Sequence, residues 1–229
     1  MTAAYIDQDC FEAARGVLAT SARLLEELGV TVSGQSLRMG RAADEISALG
    51  AILGADLIVV GSRGSRSTEE HPLGADAEGI ARVANRPVLV VHGNLLSWPP
   101  ARIVIGDDGS SDAARTVGFA VSLGRSLDAE TVLVRALMEP SAVRCSSLAL
   151  AEPAATIQVC GGRAPATVAA ICDSAEFLCE TVAAGSQSVL LVIGNRGFRF
   201  SGQPRLGRVA AQVLQTTPGS ILIVPRRRD

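Results

Sequence analysis

Two sets of three glycines stand at matching intervals in this chain. Gly61, Gly64 and Gly74 are matched 133 residues later by Gly194, Gly197 and Gly207. Each set follows a short apolar run, LIVV at residues 57–60 and LLVI at residues 190–193. Glycines in such a loop let the backbone approach a polyphosphate closely, and the free N–H groups opening the next helix attract anions. A second candidate is the acidic turn GDDGS at residues 106–110. Asp107 and Asp108 are neighbours, and on a strand they would point to opposite faces, which makes them a poor concerted carboxylate pair. Two readings stand side by side: one of them faces a ligand, or both cap the turn and the helix after it. Other chemistry is sparse. His71 and His92 are the only histidines, neither is spaced as a metal pair, and no cysteine joins them at zinc-ligand spacing. No metal site and no catalytic residue is expected. The chain has no lysine, which excludes a phosphate-gripping lysine.

The elements that must position these residues repeat with them. Leu-Gly pairs at 73–74 and 206–207 and apolar strands at 88–91 and 221–224 keep the same offset. Short β-branched runs alternating with helices suit parallel strands buried on both faces, so the fold class is α/β. It is expected as two tandem open, mainly parallel, Rossmann-like sheets flanked by helices. In the second copy, residues 102–106 open as a strand, residues 112–124 follow as a helix, and residues 131–136 and 167–172 give two further strands. Residues 137–163 are expected as a short helix plus a loop, because Pro153, Gly161 and Gly162 interrupt anything longer. Leu206, Val209, Ala210, Val213 and Leu214 fall on one helical face that should cover the sheet.

The first copy has no counterpart of the strand and turn RIVIGDDGS. It begins with an amphipathic helix bearing Phe11, Ala14, Leu18, Ala22, Leu25 and Leu28, stopped by Gly29. A strand near residues 31–37 and a helix over 42–53 should follow. GNLLSWPP at residues 93–100 separates the copies, giving domains 1–93 and 101–229 with a linker at 94–100. Trp98 should pack that linker onto a domain.

Composition narrows the functions. With 48% hydrophobic but only 3% aromatic residues, the interior is aliphatic and no aromatic recognition surface is available. Twenty-one arginines balance 23 acidic residues, and the basic end Arg226, Arg227 and Arg228 reads as a solvated terminus, so no nucleic-acid partner is expected. Five cysteines without a CxxC pair suit reduced thiols, and no stretch is apolar enough to span a bilayer. A cytoplasmic location without membrane attachment is expected.

The glycine spacing G-x2-G-x9-G, present twice, and the opening motif IGDDGSSDAA at residues 105–114 resemble those of the universal stress protein family. The resemblance covers most of the chain as a tandem whose first copy is truncated at its start. It implies an ATP site at the carboxyl ends of the parallel strands, with Mg2+ only alongside ATP. In the second copy the implied residues are Gly106, Asp108, Ala136, Ile193, Gly194, Gly197, Gly207, Arg208 and Val209. The family loop ends in G-[ST], whereas here Ala75 follows Gly74 and Arg208 follows Gly207, so one phosphate hydrogen bond is lost in each copy. Such a bond contributes about 1.5–3 kcal/mol, and its loss weakens binding without abolishing it. Arg208 either compensates as a phosphate donor or is solvated. The first-copy loop, Gly61, Gly64 and Gly74, is degenerate and carries Glu69, Glu70, Asp76 and Glu78, which would repel a polyphosphate. The implied function is a stress-response regulatory module that binds ATP weakly in its second copy and is at most a slow ATPase. The alternative is an interaction protein that keeps the fold without its ligand. Family members dimerise through the last strand, which implies a homodimer or intrachain pairing of residues 88–91 with 221–224; the regulatory partner is unknown.

Overall fold

Short runs of Val, Ile and Leu, from four to eight residues long, form seven strands in the computed structural model. It describes residues 8–63, 73–92, 98–110, 112–137, 166–171, 174–184, 188–195, 206–217 and 219–226. Residues 1–41 and 42–229 make two compact units. The first contains α1 (Gln8–Glu27). Phe11, Ala14 and Leu18 are partly buried and Ala22 is buried, as the helical spacing requires, but Leu25 and Leu28, expected on the same face, are exposed where the helix ends. The chain leaves α1 through Gly29 at φ 81°, where the Val30 N–H reaches the Leu25 carbonyl at 2.9 Å, a left-handed glycine stop.

Residues 30–39 form no strand, contrary to the sequence expectation for 31–37. The 133-residue offset explains this. It maps residues 33–38 onto β5 (Ala166–Ile171), which is held in the sheet by β4 (Glu130–Leu137). Among the described residues no strand stands beside this segment as β4 stands beside β5.

The second unit is built on one sheet in the order β1-β2-β7-β6-β3-β4-β5. Its strands are β1 (Ile58–Gly61), β2 (Val88–Val91), β3 (Arg102–Gly106), β4, β5, β6 (Val189–Gly194) and β7 (Ile221–Val224). All neighbours are parallel except β2 and β7, which run antiparallel. The two expected sheets are therefore joined edge to edge within the chain. Leu89 pairs with Leu222, its own equivalent under the 133-residue offset, while Val88 pairs with Ile223 and Val90 with Ile221. The seam thus has a local two-fold axis through Leu89 and Leu222, the self-complementary geometry of an isologous interface. All six side chains are buried, and burial of each stabilises by about 1.5–3 kcal/mol.

Helices cover the two faces unequally. The helices α2 (Ala42–Ile52), α3 (Ala75–Val83), α5 (Ser174–Ala184) and α6 (Arg208–Thr216) contribute Ala43, Ile80, Leu178, Val213 and Leu214 to one core with Val90, Val104, Leu191 and Ile223. The opposite core is capped by α4 (Ala113–Ser126), whose Val117, Ala120 and Val121 pack on Ile103, Ile105, Leu133, Leu190 and Val192. In α6, Ala210, Val213 and Leu214 are buried as the periodicity required. Residues 137–163 lie almost entirely outside the described residues. Trp98, expected to pack, is 51% exposed.

Candidate functional site

The strand order places β6, β3 and β4 side by side and parallel, so Ile193 and Gly194, Gly106, and Ala136 lie at one end of the sheet, where α/β folds hold ligands. Four of the expected site residues are in this way brought together by the backbone. Gly106 is a glycine for a packing reason: a Cβ there would stand 2.7 Å from Ile193 Cγ2 and 3.2 Å from Leu178 Cδ1. The Ile193 side chain itself belongs to the core, leaving its backbone for any ligand.

Past Gly106 the chain turns through Gly109 at φ 77°. Both readings of the two aspartates meet here. Asp107 Oδ1 accepts the Gly109 N–H at 2.9 Å and Asp108 Oδ1 accepts the Ser110 N–H at 3.0 Å, so both cap the turn. They then diverge. Asp107 is buried and its Oδ2 is ion-paired with the buried Arg135 guanidinium of β4, which also lies over the Gly109 turn, whereas Asp108 is exposed. Arg135 Nε is buried and has no hydrogen-bond partner among the described residues. Asp108 is therefore the carboxylate available to solvent, and Asp107 fixes the turn that presents it.

Loop closure is the same in both copies. In the second, the Asn195 N–H donates to the Val224 carbonyl at 2.9 Å and the Asn195 carbonyl accepts the Gly207 N–H at 2.8 Å. In the first, Ser62 does the same with Val91 at 2.8 Å and Gly74 at 2.7 Å. Each clamp delivers the chain into a helix, α6 or α3, whose N-cap glycine is extended and carries no side-chain cap bond. Because the N-cap is glycine in both copies, no N-cap side chain satisfies the first N–H groups of either helix. Arg208 is exposed at the start of α6, and Val209 is half-buried against the core. Gly64 and Gly197 fall outside the described residues, as do His71, Glu69 and Glu70. Of the first-loop acids that are described, Glu78 is paired with Arg82 along α3.

Several participants escaped the sequence reading. Arg226 is not a free terminal charge: its Nε lies 3.1 Å from Asp112 Oδ2, and its N–H donates to Asn195 Oδ1 at 3.0 Å. It ties the glycine loop to the start of α4, and only the fold brings those three positions together. Arg135 had a signal, a lone charge inside an apolar strand. His92 ends β2, where its N–H donates to Ser220 Oγ at 3.2 Å. Its Nδ1 is buried with no partner among the described residues, and burial, then the Arg63 charge, lowers its pKa from 6.5. Among the described residues no group of three His, Cys, Asp or Glu side chains could hold a metal ion, and no helix is long and apolar enough to cross a membrane.

Comparison with known proteins gives a consistent result. The model of the universal stress protein family matches residues 3–92 and again residues 100–225. A 58-residue stretch is 47% identical to universal stress protein G of Shigella flexneri, and equally to that of Escherichia coli O157:H7, over 25% of this chain and 40% of theirs. The chain thus spans less than half the length of these curated relatives. A universal stress protein from Archaeoglobus fulgidus superposes with a TM-score of 0.77 at 18% identity, over 98% of this chain and 84% of that one. One from Pseudomonas aeruginosa UCBPP-PA14 gives 0.70 at 19% identity, over 92% and 78%.

Proposed function

The chain belongs to the universal stress protein family, and from that premise we propose that it is a stress-response regulatory module, cytoplasmic, whose second copy binds ATP weakly. We take the copies as residues 1–93 and 101–229 with a linker at 94–100. The observation that carries the reading is the junction of β6, β3 and β4 at one sheet end, with the Asn195 clamp directing the uncapped start of α6 toward the same loop. The residues present fit a nucleotide. Asp108 offers an exposed carboxylate to a ribose hydroxyl, the Ala136 and Ile193 backbones flank a base, and Gly194, Gly197, Arg208 and Val209 offer N–H and guanidinium donors to phosphates, with Gly207, whose own N–H is taken by the Asn195 carbonyl, leading the chain into α6. Mg2+ enters only with the ATP. ATP carries a transferable phosphoryl group, but the described residues place no general base beside it, so binding and not turnover is the proposed role.

Among the described residues β1 is flanked by β2 alone, and we take the first-copy loop with Gly61, Gly64 and Gly74 not to bind nucleotide; that copy serves packing. A second reading, an interaction module without ligand, is favoured by Arg208 standing where the family loop carries a hydroxyl. Titration with a fluorescent ATP analogue separates the two. Saturable binding that is lost in Gly194→Val supports the site, while no binding at millimolar ligand leaves the interaction reading.

A further inference from the structure

The core of β4 is apolar but for one charge, Arg135, and β3 runs directly into another, Asp107. Sheet register brings the two together. Gly106 pairs with Val134, and the Asp107 N–H donates to the Val134 carbonyl at 2.9 Å, so the ladder continues one residue past β3. Asp107 then stands beside Arg135, on the alternate positions that follow Ile103 and Ile105 on one strand and Leu133 on the other. Both side chains are buried and ion-paired. Two charges held this deep stabilise a fold little more than apolar residues of similar volume would, because desolvation offsets their attraction. What the pair supplies is direction.

That direction falls on Asp108. Asp107 Oδ1 accepts the Gly109 N–H at 2.9 Å while its Oδ2 holds the Arg135 guanidinium. At Gly109, where φ is 77°, an added Cβ would stand 3.4 Å from both Arg135 Cζ and Nη2, so the turn lies against the guanidinium itself. The residues on either side of Asp108 are thus fixed to one buried group, and the exposed Asp108 is presented in one orientation. Ala136 follows Arg135 on β4, so the same pair also ties together the two strand ends that carry Asp108 and Ala136. Resting on the nucleotide reading above, we propose that Asp107 and Arg135 are positioning residues through which the second copy selects a nucleotide bearing ribose hydroxyls over one without them. Neither touches the ligand. They hold the Asp108 carboxylate ready to accept a hydroxyl hydrogen, and an acceptor fixed beforehand loses no freedom when the ligand arrives.

Calorimetric titration of the full-length protein with ATP and with 2′,3′-dideoxy-ATP tests this, since base and phosphates are the same in both. The parent should prefer ATP by about tenfold or more, the effect of one hydrogen bond to a carboxylate. In the double variant Asp107→Leu with Arg135→Met, ATP binding should weaken until the preference is under about twofold, while dideoxy-ATP affinity stays within about twofold of the parent's. Asp108→Ala should do the same. A pair that merely held the fold together would move both ligands alike. Circular dichroism and melting establish that the double variant is folded; if it is not, Gly109→Ala, which strains the turn at φ 77° without stranding a buried charge, takes its place and should show the same loss. The proposal is overturned if the preference survives in any of these variants, if the two ligands weaken together, or if the parent binds both equally, and in each case the nucleotide reading stands. A parent that binds neither ligand at millimolar concentration overturns that reading, and the proposal with it.

Discussion

Removing the Arg135 charge should be far more damaging than removing the whole Asp107–Arg135 pair. The Asp107 side chain is 0% exposed and that of Arg135 is 7% exposed, so neither charge is screened by water. Taking away one partner strands the other; in Arg135→Met the Asp107 carboxylate keeps only the Gly109 N–H, and a loss of about 3–5 kcal/mol is expected. Against a domain stability of about 5–15 kcal/mol, that is a large fraction. The double variant Asp107→Leu with Arg135→Met removes both charges and the unpartnered Arg135 Nε, leaving only the lost turn bond of about 0.5–1.5 kcal/mol. It should lie within about 2 kcal/mol of the parent, so the two substitutions should couple by several kcal/mol. Urea unfolding followed by far-ultraviolet circular dichroism, with equal denaturant slopes required of all four proteins, measures this. Arg135→Met costing under about 1 kcal/mol, or a double variant as damaged as the two singles added together, would refute the reasoning.

The repeat allows a matched test of burial: Leu190→Ala should cost about 2–5 kcal/mol, whereas Leu57→Ala at the equivalent open position should cost under about 1 kcal/mol. Equal losses in urea titrations would show that β1 is covered. His92 should make stability sensitive to acid. Its folded pKa is lowered from 6.5 by burial and then by Arg63, so the unfolded chain binds the proton first as pH falls. Stability should be constant above about pH 7.5 and decline as pH drops through 6.5 toward the folded pKa. His92→Gln should flatten that decline between unfolding curves at pH 7.5 and 5.5, and an unchanged slope would sink the assignment.

The fold was legible where local pattern and repeat agree. LIVV and LLVI had to be strands, and the helical face of Leu206, Ala210, Val213 and Leu214 had to cover the sheet, because pattern alone constrains both; the expected burial on both faces holds for LLVI but not for LIVV, where Leu57 and Val59 are exposed. What was not legible depends on partners distant in sequence. Residues 31–37 carry strand-compatible composition but pair with no strand among the described residues, and strand formation requires a ladder, not a propensity. Asp107 and Asp108 were separable only by seeing which face each takes. Arg226 looked like a solvated tail because Asn195 and Asp112 lie far from it along the chain. Asp108 and the glycine loops were visible as motifs; their shared sheet end follows from the strand order.

The antiparallel seam of β2 and β7 has a consequence for how the two halves can change. In a dimer of identical subunits, every substitution appears twice about the axis, and a mutation that suits one side must suit the other. Here the halves share one chain, whose covalent link holds them together as an intramolecular association independent of protein concentration. Each side is therefore free to drift alone. The seam already records this: at one end the His92 N–H meets Ser220 Oγ, while at the other the equivalent residues are Pro225 and Pro87, which have neither the N–H nor the hydroxyl. A tandem so joined can let one half keep a ligand site while the other is released to do something else.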